Sequence, residues 1–234
     1  MSTIIRPAQS RGRGFHGWLD SYHSFSFADY FDPAHMGFGP LRVINEDRVE
    51  PGAGFGTHGH RDMEILSYVI EGALEHKDSI GTGSVIRPDD VQIMSAGTGV
   101  RHSEFNHSTV EPVHFLQIWV LPDQKSLTPR YDQKTFTSSE KRGRLRLIAS
   151  TNARDGSLLI HQDADIFAAL LVQDDAIAHS LKPGRRAWVQ MIRGCAEING
   201  AAASPGDGFA VEHEPAVTIK ANDDQTELLL FDLP

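Results

Sequence analysis

Two short runs carry the side chains most capable of chemistry, His58-Gly59-His60 and His102-Ser103-Glu104. In each, the polar pair is spaced i, i+2. On a β-strand that spacing puts both side chains on one face, about 6.5 Å apart along the strand. Two such strands brought together gather three imidazoles and one carboxylate around a point. That donor set suits a divalent metal and leaves room for a further group to bind. Imidazole donors favour Fe(II), Mn, Co, Ni, Cu or Zn over Ca or Mg. The sole cysteine, Cys195, is remote in sequence from both runs, which excludes a closed thiolate-type zinc site.

The rest of the chain must build the container for these side chains. Its 234 residues suffice for one large all-β unit or two domains of about 110, either with a real core. From Leu41 onward, strand-like runs alternate with glycine- and proline-rich turns. Examples are Leu41 to Asn45, Glu64 to Gly72, Ala73 to Asp78 and Val91 to Ala96. Residues 113–121 give the strongest strand signal, and Pro122 stops it. Short punctuated strands without a long amphipathic helix point to a sandwich or barrel.

The polar stretch from Thr128 to Arg142 reads as a connection, after which the same texture resumes. The segment Val69 to Glu75 resembles Met191 to Glu197, and Ile86 to Val91 resembles Ala203 to Phe209. Two copies of one β fold follow, over residues 1–127 and 128–234. The first copy holds both polar pairs. The second has only the scattered His161, His179 and His213, and is expected to be structural and without metal.

Other residues have weaker claims. The aromatic-rich first 35 residues are expected to wrap the outside of a barrel rather than wall a pocket. Phe55, Met63, Gln117 and Trp119 are candidates for pocket walls or for support of the ligands, Gln117 through a hydrogen bond to a ligand ring. Ordinary core filling competes for each. Asp62 or Glu64 is placed to orient a histidine or to be solvated. His16, His23, His35, His76 and His107 are expected to be solvated or structural, and His114 to be a satisfied core histidine or a cavity residue.

A formal charge of −9 with mixed signs and no basic run argues against nucleic acid as the main partner. One cysteine fits a reducing compartment. No apolar leader pattern and no run near 18 apolar residues stand out, so a cytoplasmic location without membrane spanning is expected.

The motifs resemble those of cupins, and more narrowly of the pirin family. The first cupin motif is matched from Gly52 through His58, His60 and Glu64, closing at Gly72 one residue later than usual. The second runs from Gly97, which replaces the customary proline, to Asn106, and its His102-Ser103-Glu104 triplet is the pirin mark. Gly17-Trp18-Leu19-Asp20-Ser21 and Phe25-Ser26-Phe27-Ala28-Asp29-Tyr30 are similar to the bacterial branch that includes pirin-like quercetin dioxygenases.

The resemblance spans essentially the whole chain. It implies a bicupin of two double-stranded β-helix (jelly-roll) barrels. It implies a divalent metal held by His58, His60, His102 and Glu104, with Glu64 as the competing ligand and Fe(II) as the expected ion; Zn, Cu, Co, Ni and Mn are alternatives. The implied activity is O₂-dependent cleavage of flavonols such as quercetin to a depside and carbon monoxide, with Glu104 as both ligand and general base. The alternative implication is a regulatory binding protein, acting on transcription factors or metabolic enzymes, in which iron is a redox-sensitive switch without turnover. A monomer is expected, because one chain can supply both copies.

Overall fold

Alternation of buried and exposed side chains is the local rule that makes the strands. In the computed structural model, which describes residues 2–234, the segment from Val100 to Asn106 buries every second residue. Val100, His102, Glu104 and Asn106 point inward, while Arg101 and Phe105 are exposed. The chain divides into two compact units. One comprises Gly12–Phe136 with Ile160–Gln162; the other comprises the residues up to Arg11, Thr137–Leu159 and Asp163–Pro234.

In chain order the first half gives β1 (Ser2–Arg6), β2 (Gly12–Phe15), β3 (Leu19–His23), β4 (Leu41–Val49), β5 (Gly54–His60) and β6 (Glu64–Glu71). It continues through β7 (Leu74–Asp78), β8 (Gly83–Ile86), β9 (Asp90–Ser95), β10 (Val100–Asn106), β11 (Val113–Val120) and β12 (Arg130–Thr135). A seven-stranded sheet in the order β12-β9-β6-β11-β4-β3-β2 and a four-stranded sheet β5-β10-β7-β8 make up the unit around Gly12–Phe136. Leu19, Val49, Val69, Val113 and Phe115 of the larger sheet pack against Leu74 and Ile86 of the smaller one.

The second half supplies β13 (Arg146–Ser150), β14 (Leu158–Leu159), β15 (Asp165–Leu171), β16 (Ala176–Ser180) and β17 (Arg186–Arg193). It ends with β18 (Ala196–Ile198), β19 (Ala201–Ala203), β20 (Gly208–Glu212), β21 (Ala216–Ala221) and β22 (Thr226–Leu233). These form a seven-stranded sheet β1-β20-β17-β22-β15-β13-β14 and a four-stranded sheet β16-β21-β18-β19. Their shared core includes Val189, Phe209, Leu228 and Leu230 against Ile198, Val217 and Ile219.

The jelly-roll barrels expected from the resemblance are not what forms. Among the described residues no sheet closes on itself: each of the four ends in two edge strands. Closure requires the last strand to hydrogen-bond the first. Here the two sheets of each unit are joined by side-chain packing instead, which makes each unit an open two-sheet sandwich. The fold is all-β, with two seven-plus-four units. A second difference concerns the polar stretch after Thr128. Residues Arg130–Thr135 are not a connection but an edge strand paired with β9 in register Tyr131–Met94. No helix among the described residues is long and apolar enough to cross a membrane.

Close backbone approach holds β5 against β10. A Cβ on Gly54 would lie 2.3 Å from the Glu104 carbonyl oxygen and 2.5 Å from the Phe105 Cα, whereas a Cβ on Gly56 would meet nothing within 4 Å. Gly97, where cupins usually carry proline, has φ +46° and would place a Cβ 1.9 Å from the Leu127 carbonyl oxygen. Gly54→Ala should therefore destabilise the metal-free chain by about 1–3 kcal/mol in urea unfolding, with Gly56→Ala close to neutral. Equal effects of the two substitutions would refute the close-approach account.

Candidate metal centre

Strand β10 is the middle of the site. It pairs with β5 on one side, His102 opposite His58, and with β7 on the other, His102 opposite Asp78 and Glu104 opposite His76. On the β5 side the register shifts between His102 and Glu104, so that Glu104 faces Phe55. This bulge adds a residue to β5 opposite Ser103. The donor atoms of His58, His60 and His102 all lie within 4.8 Å of one another. So do those of His76, His102 and Glu104, a second group sharing two members with the expected ligand set.

The donor chemistry tests whether a cation fits. The His58 Nδ1–H donates to the Gly56 carbonyl oxygen at 2.8 Å, which leaves Nε2 with its lone pair. That lone pair faces His102 Nε2 at 3.1 Å, and the ring of His60 lies 4.8 Å from both neighbouring rings. Burial keeps His60 and His102 neutral. Desolvation and then His58 push His60 down to about 4. His102 is pushed to about 2 by burial and the surrounding imidazoles. Three imidazoles converging on one point, two of them held neutral by burial, are a site for a divalent metal ion, since a metal competes there with few protons.

Glu104 is buried, with 1% of its surface exposed. Gln117 donates from Nε2 to Glu104 Oε2 at 2.7 Å, and the Ser67 hydroxyl lies 3.3 Å from Oε1 and 3.0 Å from Gln117 Oε1. Desolvation is the largest influence on this carboxyl and lifts it to about 7, with Asp47 adding to the rise and the Gln117 bond opposing it. Gln117 thus supports the carboxylate rather than a ligand ring. Glu64, the competing ligand, is engaged elsewhere: its Oε2 accepts from Ser95 Oγ at 3.0 Å and the His161 N–H at 3.2 Å. Asp62 accepts from the Ser126 N–H and so ties down a loop.

A cavity of about 390 Å³ opens beside the cluster, with His58, Glu104 and Gln117 in its wall. Trp18, Phe27, Phe55 and Trp119 are the aromatic part of its apolar lining. Trp119 meets His60 edge-on at 4.9 Å and Phe27 at 5.3 Å. The aromatic N-terminal stretch is therefore partly a pocket wall, although Phe15 and Phe31 remain exposed. Met63 belongs to the apolar cluster with Ile65, Met94 and Val100. Of the histidines outside the two pairs, His16 and His23 line the cavity, His114 is bonded to Glu46, and His76 sits against His102. The pair His76 and Asp78 carries the same i, i+2 spacing signal as the other two pairs.

Residues 5–120 match the family model described as Pirin, and residues 147–233 match that described as Quercetinase C-terminal cupin domain. The crystal structure of bacterial pirin YhhW in complex with nickel(II) from Escherichia coli is 49% identical, with a TM-score of 0.95, covering 100% of this chain and 99% of that one. The chain belongs to the pirin family. Quercetin 2,3-dioxygenase of Escherichia coli K12 is 50% identical to this pirin over 230 residues, 98% of each chain. A pirin-like protein of Caulobacter vibrioides is 37% identical over 228 residues, 97% of each.

Asp47 offers a check on the electrostatics of this pocket. It lines the cavity fully buried, with Oδ1 unpartnered, and burial lifts its carboxyl to about 7 against a hydrogen bond from Ser21. A carboxyl raised on folding contributes stability that is complete below about pH 4 and is lost as pH rises through about 7. In metal-free protein, Asp47→Asn should flatten the fall of the urea midpoint between pH 4 and 8, removing on the order of a few kcal/mol of pH dependence. Superimposable pH profiles for the two proteins would rule out a neutral buried Asp47.

Proposed function

We propose that this pirin is a metal-dependent dioxygenase that opens flavonols such as quercetin with O₂, acting in the cytoplasm. The observation that carries the proposal is an apolar, aromatic-walled cavity that ends on His58, one of the three clustered imidazoles, and on Glu104. The likeness to quercetin 2,3-dioxygenase over nearly the whole chain supports the same chemistry. We assign His58, His60, His102 and Glu104 as the residues that hold the ion, and iron as the ion used in the cell. When bound, such an ion supplies Lewis-acid polarisation of a chelating hydroxyl and redox coupling to O₂.

The chain's own residues then have separate tasks. Trp18, Phe27, Phe55 and Trp119 receive a planar ring system and exclude water from it. Gln117 holds Glu104 Oε2 at 2.7 Å, while Oε1 has only the longer contact with Ser67. Oε1 is therefore the oxygen free to take the proton of the flavonol 3-hydroxyl, which makes Glu104 the general base. The balance closes with one O₂ consumed and one carbon monoxide released per flavonol.

The test is loss of flavonol absorbance together with O₂ uptake, measured on Fe-, Ni-, Cu-, Co- and Zn-loaded protein. His60→Ala should lose metal and turnover together. Glu104→Gln should lower turnover by at least about 100-fold while part of the metal is retained. Full turnover with normal metal content in Glu104→Gln would exclude it as the base. Full metal occupancy without turnover in any form would shift the assignment to the metal-dependent binding protein.

A further inference from the structure

The buried pair His76 and Asp78 lies behind the metal cluster, on the side of β10 away from β5. Neither side chain has any exposed surface. His76 Nε2 is 3.0 Å from Asp78 Oδ2, and His76 Nδ1 is 3.4 Å from His102 Nδ1. The other carboxylate oxygen, Asp78 Oδ1, accepts from the Ile80 N–H at 3.0 Å and the Thr82 N–H at 2.9 Å. Tyr131, from the edge strand β12, covers the His76 ring at 4.7 Å and 31°. Its hydroxyl donates to Gln133 Oε1 at 2.8 Å, so the ring plane of His76 is held from outside.

These contacts leave one consistent placement of protons. A carboxylate only accepts, so His76 Nε2 carries the hydrogen shared with Asp78. In the neutral ring Nδ1 is then an acceptor, and the only hydrogen in the gap between the two rings belongs to His102 Nδ1. His102 protonated at Nδ1 has a bare Nε2, the atom that faces His58 Nε2 at 3.1 Å. We propose that Asp78 and His76 are positioning residues that act through His102, fixing its tautomer and ring orientation so that Nε2 is presented to the metal. The proposal rests on His102 being a ligand. It also settles the second donor group around His76, whose two nitrogens are both committed to neighbours.

Two variants test it in the full chain. Asp78→Asn can keep its oxygen on the Ile80 and Thr82 amides and turns an amide donor toward His76, which should reverse the tautomers of both rings. His76→Phe keeps a ring under Tyr131 and removes the acceptor. In metal-free wild-type protein, ¹⁵N NMR should find His102 protonated at Nδ1 and His76 at Nε2, with both exchanged in Asp78→Asn. Competition with a chromophoric chelator should show Zn(II) affinity reduced about 10- to 100-fold in both variants.

His102 protonated at Nε2 in the wild type would overturn the proposal. A metal-coordinated ¹⁵N shift at His76 in the Zn(II) form would do the same, as would unchanged affinity and tautomers in both variants. A wild-type chain that takes up no Zn(II) would instead sink the metal assignment under the proposed function. The tautomer measurement, made without metal, would still decide the relay.

Discussion

Everything at the site follows from the antiparallel pairing of Val100–Asn106 with a different strand on each side. Because side chains alternate along a strand, one register places His102 and Glu104 on the buried face, and a slip of one residue would expose both. The same register sets His58 opposite His102, and Asp78 and His76 opposite His102 and Glu104. One ladder thus delivers an outer pair of histidines, a central histidine and carboxylate, and an inner pair behind them. Gly54, opposite Phe105 just beyond the bulge, permits the two backbones to approach.

The electrostatics of the pocket are those of low dielectric around uncharged groups. Buried imidazoles resist protonation, and the buried carboxyls of Glu104 and Asp47 resist ionisation, each for want of solvent. A divalent ion held at the cluster would change both balances at once, by accepting imidazole lone pairs and favouring an ionised carboxylate beside it. The surrounding aromatic wall keeps competing water away, so the few polar groups present act strongly. Ser67 and Gln117, from the neighbouring larger sheet, orient Glu104 without adding charge.

The two units have the same plan of seven and four strands, yet only the unit around Gly12–Phe136 brings histidines together among the described residues. In the other, His179 is bonded to Asp232, which Arg185 also engages, so its ring belongs to an ion-pair network. Shared architecture therefore explains the repeat in the sequence, whereas the chemistry depends on which polar residues occupy the inward positions of one small sheet.

Much of this was legible in the chain itself, for a physical reason. The i, i+2 spacing of His58 with His60 and of His102 with Glu104 needs only strand periodicity to put each pair on one face, and glycine-rich turns mark where the strands begin. The strand content follows from the same periodicity, and the two-copy reading from segments that recur, such as Val69 to Glu75 and Met191 to Glu197. Other features depended on contacts between residues far apart in sequence. Open sandwiches rather than closed barrels reflect which edge strands find hydrogen-bond partners. The capture of Glu64 by Ser95 and His161, the use of Gln117 to hold Glu104, and the cover of Tyr131 over His76 each join distant segments. Local periodicity decides which way a side chain points; only the packed sheets decide what it meets there.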